Sequence, residues 1–278
     1  MHRILIEPII RAALLEDLGR AGDITTDAIV GEDTQAEALM VTRQDGVLSG
    51  MEAGLMAFEL LDPSVQIERV CRDGDRIERG QTVARINGRA RALLAAERTA
   101  LNFTCRMSGV ASATRLLADA VGNHKAKIVC TRKTTPGLRI LEKEAVRDGG
   151  GANHRFGLDD AMLIKDNHVA IAGGVGAALD RARAQAGHLV KIELEVDTLE
   201  QLAEALEHGA DAVLLDNMDP DTLRHAVDLV KGRAITEASG RITRETVPAI
   251  AAAGVDLISS GWITHSAPIL DLGLDIDA

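Results

Sequence analysis

Lys191-Ile-Glu-Leu-Glu-Val196, Leu199-Glu-Gln-Leu-Ala-Glu-Ala-Leu-Glu207 and Ala212-Val-Leu-Leu-Asp216 follow one another with only short connections between them. The first and third are branched apolar runs of strand length. The second repeats its apolar residues at helical spacing. Strand, helix and strand in this order make a βαβ unit, whose strands lie parallel and whose crossover is right-handed. The same rhythm extends outward in both directions from this stretch. Lys127–Thr131 and Ala161–Lys165 read as earlier strands, and Ala234–Ser239 and Leu257–Ser260 as later ones. Helices are expected over Gly137–Arg147, Ile171–Ala186, Leu199–Glu207, Pro220–Val230 and Arg244–Ala253. Six such units specify a parallel α/β sheet, either open or closed into a barrel.

The strand ends favour the barrel. The first run finishes at Thr131-Arg132-Lys133 and the second at Lys165, followed by Asp166-Asn167-His168. The third carries Glu193 and Glu195, and the fourth ends at Asp216-Asn217. The last two end in Ser239-Gly240 and Ser260-Gly261. A βα barrel gathers the C-terminal ends of all its strands at one mouth. A doubly wound sheet gathers them only near its switch point.

Upstream of Gly122 the pattern is different. Ile6, Ile9, Ile10, Ala13, Leu14 and Leu18 fall at helical spacing, and Gly19–Asp27 reads as a loop. Short strands are expected at Glu37–Arg43, Gly46–Leu48, Val65–Cys71 and Thr82–Ile86, with a helix over Gly54–Leu61. Arg91–Ala120 reads as a long helix with a bend near Gly109. Asp73–Val83 is similar to the turns of lipoyl-carrier domains. No Lys lies between Met1 and Gly122 to carry the cofactor, so the stretch is read as scaffold.

Composition narrows the function classes. The chain is 46% apolar, with three Phe, one Trp and no Tyr, an aliphatic core that suits buried parallel strands. The net charge of −11 opposes a polyanionic partner, so nucleic-acid binding is not expected. A local basic pocket can still take a small anion, because screening confines the distant field to about 8 Å. Cys71, Cys105 and Cys130 are odd in number and lack metal-ligand spacing, which points to free thiols in a reducing cytoplasmic compartment. Neither a secretory leader nor a membrane span is expected.

Arg132, Lys133, His154, Arg155 and Lys165 fall on neighbouring units and form a candidate anion site. Arg pairs bidentately with carboxylate or phosphate, and Lys supplies a compact charge. Glu195 and Asp216 could hold Mg²⁺ directly or through water. Ser239, Gly240, Ser260 and Gly261 fit phosphate-binding loops, in which Gly lets backbone N–H groups approach the anion. Internal ion pairing of the same residues is the alternative.

Thr131-Arg-Lys-Thr-Thr-Pro-Gly-Leu-Arg139, Gly149-Gly-Gly-Ala-Asn-His-Arg-Phe-Gly-Leu158 and Leu163-Ile-Lys-Asp-Asn-His168 resemble the signature stretches of the quinolinate phosphoribosyltransferase family. Gly22-Asp-Ile-Thr-Thr26, Glu97-Arg-Thr-Ala-Leu-Asn102, Leu215-Asp-Asn-Met218 and Thr264-His-Ser266 extend the resemblance in family order over nearly the whole chain. The resemblance implies an N-terminal α/β sandwich over 1–109 and an incomplete six-stranded TIM-like barrel over 110–278, with the C-terminal tail packing back on the first domain. It implies transfer of phosphoribosyl from phosphoribosyl pyrophosphate to quinolinate, with decarboxylation to nicotinate mononucleotide. It also implies a homodimer, with a hexamer as the larger alternative, in which Arg98 is donated across the interface. On the same footing, Arg132, Arg155 and Lys165 bind the two carboxylates, with His154 close by. Lys133 sits between the two substrates, beside Thr131, while Glu195 and Asp216 face the ribose and Mg²⁺. Ser239, Gly240, Ser260, Gly261 and His265 lie at the phosphates.

Four positions depart from the family pattern. Arg241 stands where Gly is usual, and would be strained if the position requires positive φ. Trp262 stands where a small residue is usual. Both are placed at the phosphate loops. Glu144 and Asp148 also differ, and read as helix-surface positions. Three other readings stay open: a Schiff-base aldolase using Lys165, a silent binding scaffold, and a sister transferase acting on nicotinate.

Overall fold

A computed structural model describes residues 2–277. In chain order the elements are α1 (Arg3–Leu18), α2 (Ile24–Ile29), β1 (Gln35–Thr42), β2 (Gly46–Val47), α3 (Met51–Leu61), β3 (Gln66–Arg69), β4 (Arg76–Ile77), β5 (Thr82–Arg89) and α4 (Ala90–Val121). They continue with β6 (Lys127–Val129), α5 (Arg139–Asp148), β7 (Met162–Ile164), α6 (Asp166–Ala172), α7 (Val175–Gln185), β8 (Ile192–Val196), α8 (Leu199–Glu207) and β9 (Ala212–Asp216). Last come α9 (Pro220–Val230), β10 (Ile235–Ser239), α10 (Val247–Ala252), β11 (Leu257–Ser259), α11 (Trp262–His265) and β12 (Leu272–Asp277). They form two compact units, one of residues 2–115, 134–150 and 266–277, the other of 116–133 and 151–265.

In the first unit an antiparallel sheet runs in the order β12-β1-β5-β3. Ile6, Ile10 and Leu14 are buried along one stripe of α1, which packs against α3, as their spacing of four requires. The stretch read as a loop over Gly19–Asp27 leads into α2 instead. Asp23 caps that helix by accepting from the Thr26 backbone N–H at 3.0 Å. Helix α4 runs unbroken through Gly109. Asp148 is not a simple surface position: it is half-buried and accepts from the Ser49 hydroxyl at 2.6 Å.

The second unit holds six parallel strands in the order β6-β11-β10-β9-β8-β7. The first of these strands in sequence therefore neighbours the last, and β6 and β7 stand at the two ends of the order, with Val129 of β6 also bridged in parallel to Ala152. Helices start where the sequence supplies caps. Thr198 accepts from Gln201 N at the start of α8, and Asp219 accepts from Thr222 N just before Pro220 opens α9. The helix expected over Ile171–Ala186 is two helices, divided at Gly173 and Gly174, which both have positive φ. Acids at the strand N-termini have structural partners. Asp211 accepts from the Ile192 N–H, and Asp256 from the Thr236 N–H and hydroxyl. Such clasps at the N-terminal face serve stability.

Candidate active site

The opposite ends of the strands converge. Thr131, Arg132 and Lys133 after β6, Lys165 after β7, Glu195 on β8, Asp216 on β9, Ser239 on β10 and Ser259 on β11 line one cavity of about 470 Å³. In a flat sheet the two edge strands would stand about 24 Å apart, five spacings of about 4.8 Å. That residues following both edges line a single cavity means that the sheet is curled, as an incomplete barrel with its open seam between β6 and β7. Its inward positions alternate. Leu214 and Asp216 line the cavity, as do Glu237 and Ser239, and register pairs Leu214 with Glu237 and Asp216 with Ser239. The outer layer is polar and open; the inner layer is buried.

The cations are held by named contacts. Arg155 donates from Nη1 to the Ala161 carbonyl at 3.1 Å. Burial first, and the neighbouring Arg132 charge second, push its pKa down, as expected for two guanidinium groups sharing a pocket. Lys165 Nζ donates to the Glu195 carboxylate, and its backbone N–H donates to His168 Nδ1 at 2.9 Å. The Lys133 backbone is fixed twice. Its N–H donates to Thr131 Oγ1 at 3.0 Å, and its carbonyl accepts from the buried Thr264 hydroxyl at 2.7 Å.

Beneath the cations lies a group whose acids sequence reasoning left out of the candidate site. His154 Nε2 is 2.8 Å from Glu193 and 3.8 Å from Glu237. Nδ1 accepts from the Arg155 backbone N–H at 2.7 Å, so the neutral ring carries its proton on Nε2 and donates it to Glu193. Burial, and secondarily the Glu193 charge, raise the Glu237 carboxyl to about 7. The signal that could have found this residue is the period of two that places Glu237 on the same inward face as Ser239. Among the described residues, these three donors are also close enough together to hold an ion, though they already satisfy one another in part.

A second cavity, of about 420 Å³, adjoins the first and shares Thr131, Lys133, Asp216, Ser239 and Ser259 with it. Its remaining wall includes Gly240, Arg241, Ser260, Gly261, Trp262 and His265. Gly240 has φ 93°, and a Cβ there would come within 2.2 Å of the Asn217 side chain, so only glycine fits. Arg241 adopts φ 52°, which realises the strain expected of a side chain at this position. Every barrel residue placed in the candidate site from the sequence thus lies on one of two adjoining cavities. Arg98 is placed elsewhere, exposed on α4 in the first unit.

Comparison with known proteins agrees with this geometry. Residues 110–275 match the quinolinate phosphoribosyl transferase C-terminal domain, and residues 23–108 its N-terminal domain. The chain belongs to the quinolinate phosphoribosyltransferase family. It is 45% identical over 276 residues to a probable carboxylating nicotinate-nucleotide pyrophosphorylase of Bacillus subtilis, covering 99% of this chain and 95% of that one. The NadC crystal structure from Streptococcus pyogenes superposes with a TM-score of 0.95 at 40% identity, covering 100% of this chain and 99% of that one. The nicotinate-nucleotide pyrophosphorylase of Francisella tularensis gives 0.95 at 37% identity, covering 100% and 98%.

Proposed function

We propose that this member of the family transfers phosphoribosyl from phosphoribosyl pyrophosphate to quinolinate, releasing pyrophosphate and carbon dioxide and forming nicotinate mononucleotide, a step of de novo NAD biosynthesis. The observation that carries the reading is the pair of adjoining cavities. One is walled by Arg132, Lys133, Arg155 and Lys165 and suits a small dicarboxylate. The other is lined by Ser and Gly at the ends of β10 and β11 and suits phosphates. Lys133 and Asp216 stand on both.

In this reading Arg132, Arg155 and Lys165 hold the pyridine dicarboxylate with its ring nitrogen towards the ribose C1. The nitrogen's electron pair forms the new bond as the bond from C1 to pyrophosphate breaks. Orientation and charge stabilisation supply most of the catalysis. Lys133, on both cavities, neutralises charge between the two substrates. The pyridinium formed stabilises the electron pair left on the ring carbon when the adjacent carboxylate departs as carbon dioxide, and that carbon then takes a proton from solvent. Glu195 and Asp216 face the ribose, whose positive charge they stabilise.

The donor set suits magnesium, because Asp216 offers hard carboxylate oxygens beside the phosphate cavity. Asp216 would hold the ion, with Glu195 reached directly or through water. Glu195 is engaged by Lys165 in this structure, which makes Asp216 the principal ligand. When bound, magnesium supplies positive charge to the departing pyrophosphate.

Arg98, exposed in the first unit, is assigned to a second copy's cavity in a homodimer. The three cysteines are buried and none is in a disulfide among the described residues, which supports a reducing cytoplasmic setting. Among the described residues no helix is long and apolar enough to cross a membrane. The test is direct: incubate the purified protein with quinolinate, phosphoribosyl pyrophosphate and Mg²⁺, and measure nicotinate mononucleotide and carbon dioxide. Product that requires all three supports the reading. Quinolinate binding without product would make the chain a silent scaffold.

A further inference from the structure

Asn217, Lys231 and Arg241 are the described non-glycine residues with positive φ. Two have local explanations. Asn tolerates this region, and Lys231 closes the C-terminus of α9. Arg241 has none. It follows Gly240 directly, in a loop after β10, and a Cβ at left-handed φ crowds its own carbonyl. Strain of this kind persists where the surroundings or the function hold it in place.

The position of Arg241 suggests what the side chain is for. It lines the second cavity with Lys133, Ser260, Gly261 and His265, and its guanidinium has no ion-pair or hydrogen-bond partner among the described residues. Its backbone carbonyl accepts from the Thr246 hydroxyl at 3.2 Å, which ties the loop to the turn before α10. An arginine on a Ser- and Gly-lined cavity offers a planar fork of donors matched to phosphate oxygens.

We propose that Arg241 is a phosphate-binding residue, adding a bidentate cation to the second cavity at the expense of backbone strain. This rests on the reading of that cavity as the phosphate site. The shared chemistry is a phosphate group, which comes either from the pyrophosphate or from the 5-phosphate of the donor.

Calorimetric titration with pyrophosphate and, separately, with ribose 5-phosphate distinguishes the two sources. Trp262, the single tryptophan of the chain, lines the same cavity, so its emission reports that the ligand is bound there. R241A and R241G should weaken one of the two ligands about tenfold, the loss of a charge-assisted bond pair. R241K should weaken it less. Quinolinate affinity should stay within about twofold throughout. R241G should also melt about 2–4 °C higher than wild type, because glycine relieves the strain, while R241A should not. If R241A binds both phosphate ligands within twofold of wild type, the inference fails, whatever the protein does with quinolinate. Absence of turnover with phosphate binding still dependent on Arg241 would overturn the proposed reaction and leave this inference standing.

Discussion

Glu237 on β10 stands 3.8 Å from Nε2 of His154, which already donates to Glu193 at 2.8 Å. Two acids therefore meet one imidazole whose other nitrogen accepts a backbone N–H. Glu237 is 1% exposed, and one of its oxygens has no hydrogen-bond partner. Burial and the Glu193 charge hold a proton on it, with His154 and the Ser259 hydroxyl acting in the opposite direction.

The consequence is a pH-dependent stability of definite sign. The folded carboxyl titrates at about 7, against 4.5 ordinarily. A raised folded pKa stabilises fully below the ordinary value, and that contribution is lost as pH climbs through 7. Wild type should therefore lose on the order of 3 kcal/mol between pH 4.5 and 8 from this group. E237Q, which keeps the shape and cannot ionise, should lose correspondingly less. Asp73, raised to about 6, and Asp148, also raised, act in the same direction but cancel in the comparison. Urea unfolding of both proteins at pH 5 and pH 8 checks this. Parallel losses would mean that Glu237 is already ionised in the folded state.

Lys165 and Glu195 make a second prediction. Their contact ties the end of β7 to β8 across a part-exposed cavity wall. A substrate carboxylate that uses Lys165 must compete with Glu195. E195Q should therefore bind quinolinate about fivefold more tightly in the absence of the phosphoribosyl donor, the scale of a partly exposed ion pair. Turnover should fall, because the acid assigned to the ribose in the proposed reaction is gone. Calorimetry with quinolinate alone, beside a rate measurement, separates the two effects. Weaker quinolinate binding in E195Q would show that Glu195 orients Lys165 for the substrate and does not compete for it.

The parts of this site that were legible in the sequence are those that recur with a period. Branched runs ending in Lys165, Asp216, Ser239 and Ser260 announce strands and a shared rim, and the cap at Asp219-Pro220 marks a helix start. What escaped depends on contacts distant in sequence or on single dihedral angles. Asp148 looks like a helix-surface residue until Ser49, far away in the chain, reaches it. Glu237 looks like one polar residue in a strand until closure of the barrel brings Glu193 and His154 beside it. The α2 helix hides because six residues are too few for a periodic signal, and its cap at Asp23 reads equally well as a turn. The division between α6 and α7 rests on the φ angles of two adjacent glycines.

Glu142 in the first unit carries a third prediction, one of stability. Its side chain is wholly buried. It accepts from Arg106 Nη2 at 2.8 Å, from the Thr135 N–H at 2.9 Å and from the Thr135 hydroxyl at 2.7 Å. Removing one partner of a buried ion pair leaves the other uncompensated and costs about 3–5 kcal/mol. E142A should unfold at correspondingly lower denaturant. E142Q, which retains an acceptor oxygen, should lose less. Equal losses in the two variants would assign the effect to the charge and not to packing, because Gln keeps the shape of the side chain.

Substrate discrimination follows from the same electrostatics in the second unit. Quinolinate presents two carboxylates to the cavity that holds Arg132, Arg155 and Lys165, whereas nicotinate presents one. With nicotinate bound, a half-buried cation already pressed by its neighbour, as Arg155 is by Arg132, is left in the cavity without its anion. Stranding such a charge costs about 3–5 kcal/mol, so kcat/KM for nicotinate should be lower by several hundredfold or more. R155A should narrow that ratio, because the variant loses the group that nicotinate leaves unpaired. The check is kcat/KM for both acids in wild type and R155A at fixed phosphoribosyl pyrophosphate. Wild-type turnover of nicotinate within tenfold of quinolinate would remove the dicarboxylate assignment of the cavity, since four cations facing a single carboxylate would then be no hindrance.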